Sequence, residues 1–180
     1  MTRPAGGAPD RSVATHRRYV VLGLGNRIQG DEALGSLVVE RLLSDTTILA
    51  RLPDPASVDC LDGGTIGLGL LPLIEAVDGL VVVDLIDADR APGTILDLDG
   101  ESLLRRDIVL GVHDLGATEL LATLHFMDAM PRRTRVIGIQ PKEISLGVDL
   151  TPEVASAVPS LIDGIVGHLV AWQLEDGTGG

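Results

Sequence analysis

The chain has 180 residues, and 26 Asp and Glu outnumber 14 Lys and Arg, which gives a formal net charge of −12. This acidic balance argues against nucleic-acid binding, because phosphate contacts need Lys and Arg gathered on one face. No run reaches the roughly 20 apolar residues of a membrane helix, so we expect no membrane insertion. A lone cysteine, Cys60, excludes an internal disulfide framework and is typical of a reducing compartment, which predicts a cytoplasmic protein.

The first third of the chain predicts an arm, a strand and a helix. Residues 1–18 are rich in Gly, Pro and Ala, and we expect them to form a disordered arm. The next six residues, YVVLGL, are continuously apolar and predict a buried strand. Residues 31–43 carry apolar side chains at helical spacing, which predicts a helix with Asp31 as its N-cap.

Strands and helices continue to alternate along the rest of the chain. The same patterns predict a strand at 57–61 ended by DGGT, a helix over about 66–77, a buried strand at 80–84, a strand at 94–99, a helix at 115–127, a strand at 134–139 and a helix from Thr151 to about Leu174. The last helix begins with Thr-Pro-Glu, a typical N-terminal sequence, and we expect Pro159 to kink it. This alternation predicts an α/β fold with a largely parallel sheet, in one domain over residues 19–175.

In such sheets ligands bind beyond the carboxyl ends of the strands, which directs attention to the loop after the first strand. This loop, GLGNRIQGDEALG, is not a dinucleotide fingerprint, because Ile28 stands where the third glycine is required. It also lacks the Gly-Lys-Ser/Thr of a Walker loop. Gly23 and Gly25 allow a tight turn, while the adjacent Asp31 and Glu32 serve either as cap and helix-dipole partners or as functional carboxylates.

Three other strand ends or loops carry side chains with possible chemistry. Asp62 follows the strand predicted at 57–61, Asp84 ends the strand predicted at 80–84, and His113 precedes a predicted helix. Glu32, Asp84 and His113 together would form a mixed oxygen and nitrogen site suited to nickel or zinc. Each residue also has a plain structural interpretation as a turn, cap or polar loop residue. No GxSxG motif is present, and Cys60 lies in an apolar strand, where an inert buried thiol is expected.

Four motifs in order resemble the hydrogenase maturation endopeptidases, which process the large subunit of nickel–iron hydrogenases. They are GLGNRIQGDEALG, LDGGTIGLGLL, VVVDLIDADRAPGT and HDLGATELLATL. The resemblance runs from Tyr19 to the C-terminal helix. It implies a three-layer α/β/α sandwich with a twisted central sheet. It also implies removal of a C-terminal extension from the large-subunit precursor after nickel has been inserted.

The resemblance also implies roles for individual residues. It places metal contacts on Glu32, Asp84 and His113, and catalytic carboxylates on Asp62, Asp84 and Glu32. The loops expected to bind substrate contain Gly25, Asn26, Gly63, Gly64 and Thr65. The nickel would be carried by the substrate, and we expect no tightly bound cofactor of the enzyme's own. Whether the metal polarises the peptide carbonyl or Asp62 acts as general base stays open at this level.

Three other functions remain compatible with the same residues. A conventional hydrolase would hold its own zinc or nickel. An assembly chaperone would bind the hydrogenase precursor without cutting it. A Rossmann-like nucleotide-binding module would use the glycine loop, although Ile28 counts against it.

Overall fold

The computed structural model describes residues 17–65, 67–104 and 115–178, and five strands in these ranges form one sheet. In chain order the strands are β1 (Tyr19–Leu24), β2 (Val58–Gly64), β3 (Gly79–Leu85), β4 (Ile95–Asp99) and β5 (Arg133–Ile139). They lie side by side in the order β2-β1-β3-β5-β4. Only the edge strand β4 is antiparallel to its neighbour, so the predicted largely parallel sheet is confirmed.

Helices cover both faces of this sheet. Within the described ranges they are α1 (Leu34–Ser44), α2 (Thr46–Leu49), α3 (Leu71–Ile74), α4 (Gly100–Leu104), α5 (Leu115–Phe126) and α6 (Pro152–Thr178), with single 3₁₀ turns at Gly30–Ala33, Pro55–Ser57 and Gly67–Leu70. Buried side chains of α1, α2 and α6 form one apolar cluster with the sheet, and those of α3, α4 and α5 form a second. The three-layer α/β/α sandwich is therefore confirmed.

The central strands are apolar at every position because both of their faces are covered. All six residues of β1 are buried. Val21 belongs to the cluster under α1 and α6, whereas Val20 and Leu22 belong to the cluster under α5. Such continuous burial is typical of strands in a parallel sheet and explains why the apolar runs located β1 and β3 well.

Several predicted boundaries are wrong. The first helix begins at Leu34 after a 3₁₀ turn, and Asp31 is not its N-cap, since its carboxylate is buried and binds a distant loop. The helix expected over 66–77 is only a 3₁₀ turn followed by the four residues of α3, because Glu75 is extended and Ala76 has a φ of 58°. Strand β2 continues through the DGGT glycines to Gly64. The short helices α2 and α4 were not predicted.

Helix α6 is long and apolar enough, by length and composition alone, to cross a membrane. One side of it is nevertheless part of the core, where Leu161, Ile165 and Leu169 are fully buried against the sheet. The helix continues past Pro159 and ends at Thr178, beyond the predicted end. We conclude that α6 is a core helix of the domain.

An ionic cluster ties the end of α6 to the sheet. The carboxylate of Asp176 accepts hydrogen bonds from Tyr19 Oη at 2.6 Å, Arg133 Nη1 at 2.6 Å and Arg132 Nη2 at 2.8 Å. Arg17 and Arg18, at the end of the expected arm, bind Asp78. Residues 1–16 lie outside the described residues.

Replacing Asp176 by Asn should lower the free energy of unfolding at pH 7 by about 1–3 kcal/mol, since a charged acceptor is lost beside two arginines. The hydrogen bonds from Arg133 and Tyr19 outweigh the effect of burial and hold the pKa of Asp176 well below its usual range. The contribution is therefore complete above the unfolded-state pKa of about 3.9 and is lost as the pH falls toward the folded-state pKa. Urea unfolding at pH 7 and pH 3 measures this, and an equal difference at both pH values would contradict it.

Candidate active site

A cavity of about 290 Å³ opens at the carboxyl ends of β1 and β3. Strand β2 lies on one side of β1, and strand β3 lies on the other. The direction in which successive strands are added to the sheet therefore reverses at β1. Open α/β sheets bind ligands at such a switch point. The lining residues are Leu24, Gly25, Asn26, Glu32, Gly64, Thr65, Asp84, Leu85, Gly116 and Glu119.

The turn after β1 places Glu32 in this cavity. Gly25 has a φ of 133°, which L side chains rarely adopt, and its N–H donates to Gly64 O at 3.0 Å. The N–H of Asn26 donates to Glu32 O at 2.9 Å, so the 3₁₀ turn folds back onto the end of β1. A side chain at position 25 would collide with that carbonyl, since an added Cβ would lie 1.8 Å from Glu32 O.

Asp84 enters the cavity from the end of β3. Its Oδ1 accepts a hydrogen bond from Leu85 N at 2.8 Å. A Cβ added to Gly116 would lie 3.4 Å from Asp84 Oδ2, so the first turn of α5 packs closely against this carboxylate. The structure therefore brings Glu32 and Asp84 into one cavity. His113, three residues before Gly116, lies outside the described residues.

Within residues 17–65, 67–104 and 115–178, no three His, Cys, Asp or Glu side chains are grouped closely enough to hold a metal ion. Glu32 and Asp84 belong to these ranges, and His113 does not. Glu32 and Asp84 alone would leave most coordination positions of a divalent ion to other ligands. The three-residue ligand set stays a prediction.

Asp62 lies beside the cavity without lining it. Its Oδ1 accepts from Ser36 Oγ at 2.6 Å and from Gly64 N at 3.1 Å, and its Oδ2 accepts from Arg27 Nη2 at 3.0 Å. Partial burial raises the pKa of this carboxyl, but the three hydrogen-bonding partners outweigh burial and lower the pKa overall. A lowered pKa makes a carboxylate a weaker general base. The catalytic role of Asp62 stays a prediction.

Most of the expected substrate-binding loop positions line the cavity, with one exception. Gly25, Asn26, Gly64 and Thr65 line it. Gly63 is instead buried, and a Cβ there would lie 2.6 Å from Leu70 Cδ1. Gly63 therefore serves packing under β2 and does not line the cavity.

Sequence reasoning missed the helix residues that complete the cavity. Gly116 and Glu119 are three residues apart on α5 and share one face of its first turns. Glu119 is a third carboxylate at the cavity wall. The three-residue spacing between Gly116 and Glu119 is the sequence signal that could have placed Glu119 beside the cavity. A glutamate on an amphipathic helix is, however, usually exposed to solvent.

The Asp31 carboxylate is completely buried and joins the glycine loop to a segment near α6. It accepts hydrogen bonds from Lys142 N at 3.1 Å, Thr151 N at 2.7 Å and Thr151 Oγ1 at 3.0 Å. Both ends of the loop over 142–151 are thus bound to the residue that precedes Glu32. Asp31 therefore has a structural role, whereas the next residue, Glu32, lines the cavity.

Cys60 is half-buried in β2, and burial followed by the charge of Asp59 raises the pKa of its thiol to about 11. The thiol is therefore protonated near neutral pH and is a poor nucleophile. We expect Cys60→Ser to keep the rate of the chemistry in the cavity within about twofold of the wild type, because Cys60 does not line the cavity. Loss of activity in a folded variant would contradict the assignment of Cys60 to packing.

The family model of the hydrogenase maturation proteases, named HycI, matches residues 46–168, more than half of the chain. The chain belongs to this family. A hydrogenase expression/formation protein HupD from Rhodobacter capsulatus is 37% identical over 161 residues, covering 88% of this chain and 74% of the relative. The hydrogenase 2 maturation protease of Escherichia coli K12 is 32% identical over 156 residues, covering 84% of this chain and 90% of the relative.

Solved structures of the family have the same fold. The hydrogenase maturating endopeptidase HybD from E. coli superposes with a TM-score of 0.71 at 31% identity, covering 84% of this chain and 91% of HybD. The maturation protease HybD from Thermococcus kodakarensis gives a TM-score of 0.66 at 27% identity, covering 85% of this chain and 99% of that protease. The chain is thus a peptidase of hydrogenase maturation, and its relatives' names point to hydrolysis of a peptide bond.

Proposed function

We propose that this protease removes a C-terminal extension from the large-subunit precursor of a nickel–iron hydrogenase after nickel insertion, in the cytoplasm. The observation that carries the proposal is the pair of carboxylates, Glu32 and Asp84, in one open cavity at the switch point of a family-typical fold. The nickel belongs to the substrate. The protease has no need of a tightly bound metal of its own.

Carboxylate ligands that leave a metal's other positions open suit an ion that keeps its existing ligands. Glu32 and Asp84 would contact the nickel of the docked precursor, and His113, shortly before Gly116 at the start of α5, would complete the set. Binding the nickel would fix the scissile peptide relative to the cavity and convert binding energy into orientation. A precursor without nickel would lack this anchor.

Hydrolysis adds water to the peptide carbonyl carbon, and the C–N bond then breaks as the leaving nitrogen is protonated. The base that takes the water proton must lie within hydrogen-bond reach of the water. Glu32 and Asp84 line the cavity, whereas Asp62 is held by Ser36 and Arg27. This arrangement favours a cavity carboxylate or carbonyl polarisation by the nickel over Asp62 as the base.

The test is intact-mass analysis of the large-subunit precursor after incubation with the protease, with nickel-loaded and nickel-free precursor run in parallel. We expect loss of a C-terminal peptide from the loaded form alone. Cleavage of both forms would keep the protease activity and overturn the role of nickel. A stable complex without cleavage of either form would favour an assembly chaperone.

A further inference from the structure

We propose that Ile28, Leu146 and Val148 form an apolar docking surface for an apolar segment of the hydrogenase large-subunit precursor, beside the active-site cavity. This inference rests on the proposed function and identifies where the protein substrate binds outside the cavity. We call these three side chains the aliphatic rim.

The side chains of the aliphatic rim are more exposed than is usual for large aliphatic residues. Ile28 is 61% exposed, Leu146 84% and Val148 68%. The three side chains lie on two loops that are hydrogen-bonded to each other. Gly147 N donates to Ile28 O at 3.1 Å, and Gly30 N donates to Gly147 O at 2.9 Å. Exposed aliphatic side chains gathered on neighbouring loops mark a protein interaction site more often than scattered ones do.

The rim is held in place by a buried carboxylate. Asp31 binds Lys142 N and Thr151 N, at the two ends of the loop that carries Leu146 and Val148. A buried charge is costly unless it is fully hydrogen-bonded, so this anchor specifies one loop position. Side chains on such a fixed loop lose less conformational entropy on binding than those on a loose one.

The rim is continuous with the cavity. Ile28 N donates to Asn26 Oδ1 at 3.2 Å, and Asn26 lines the cavity together with Glu32. A chain segment on Ile28 is therefore adjacent to a residue that lines the cavity. The polar cavity supplies orientation, and the rim supplies the apolar contact area that usually dominates affinity.

The position of the rim favours substrate over a second copy of the protease. A second copy bound to Ile28 would lie beside the mouth of the cavity and hinder entry of a protein substrate. The partner must also bring a peptide bond to Glu32 and Asp84, which line the cavity together with Asn26, the residue hydrogen-bonded to Ile28. The precursor is the partner that meets this requirement.

The test compares the double variant Leu146→Ser/Val148→Ser with the wild type on nickel-loaded precursor. We expect the KM for cleavage and the Kd for the precursor to rise about tenfold or more, with kcat changed by less than about twofold. Both positions are exposed, so the melting temperature should stay unchanged. The matched control is Phe126→Ser, which removes a 91%-exposed apolar side chain at the far end of α5 and should leave KM and Kd unchanged.

Each outcome decides the proposal. An unchanged KM and Kd in the double variant would overturn the docking surface. If wild-type protease binds the precursor without cutting it, the proposed function fails, while the ratio of Kd values still tests the rim. A wild-type dimer that dissociates in the double variant, with Kd for the precursor unchanged, would assign the rim to a second copy and overturn the proposal.

Discussion

Asp84→Asn should slow processing of the nickel-loaded precursor by about 100-fold or more while the protein stays folded. The change keeps the shape of the side chain but removes the charge that would contact the metal or take a proton, a loss typically worth 10²–10⁴-fold. Asp84 lies at the end of β3 in the cavity and outside both apolar clusters, so the core should not be affected. The measurement is kcat/KM by intact mass, with thermal unfolding on the same samples.

The matched control is Asp163→Asn, which makes the same chemical change on α6. Asp163 pairs with Arg51 on an exposed surface and does not line the active-site cavity. Its processing rate should equal that of the wild type. His113→Ala is expected to share the loss seen with Asp84→Asn. Normal processing by both Asp84→Asn and His113→Ala would overturn the assignment of the metal contacts.

Gly25→Ala should abolish processing and destabilise the domain by about 3 kcal/mol or more. The φ of 133° at this position disfavours any L side chain, and the added Cβ would lie 1.8 Å from Glu32 O. Either the turn after β1 moves away or the backbone of Glu32 does, and both outcomes displace the carboxylate from the cavity. Urea unfolding and the processing rate measure the two effects.

Gly167→Ala is the control for the methyl group itself. Gly167 lies inside α6, where an added Cβ meets nothing within 4 Å. Alanine there should be neutral or should stabilise the protein by up to about 1 kcal/mol, because glycine is a poor helix former. A Gly25→Ala variant as stable and active as Gly167→Ala would show that the turn has more freedom than its geometry implies.

The strands were predictable because their signal is local. β1 and β3 are buried on both faces, so each appears in the sequence as an unbroken apolar run. The short helices α2 and α4 have four and five residues, which is too few for helical periodicity to stand out. Glu32 and Asp84 could be placed together because parallel strands present their carboxyl ends at one edge of the sheet.

The rest of the site depends on contacts that leave no local signal. Asp31 has the position and chemistry of an N-cap, yet its partners are Lys142 and Thr151. Asp62 lies near the end of β2 just as Asp84 lies near the end of β3, but Ser36 and Arg27 form hydrogen bonds with the carboxylate of Asp62. In both cases the neighbouring sequence carries no sign of the residues that form hydrogen bonds with the carboxylate. Distant residues in the chain decided what the side chain does.

The anchor formed by Asp31 also predicts an order of events during folding. It joins residues 111 and 120 positions apart in the chain, and contacts of such long range form late because closing a long loop is entropically costly. The turn that carries Glu32 therefore gains its final support only when the segment leading into α6 has docked. An incompletely synthesised or partly refolded chain lacks this support, so proteolytic competence should appear at the end of folding, after the sheet has formed.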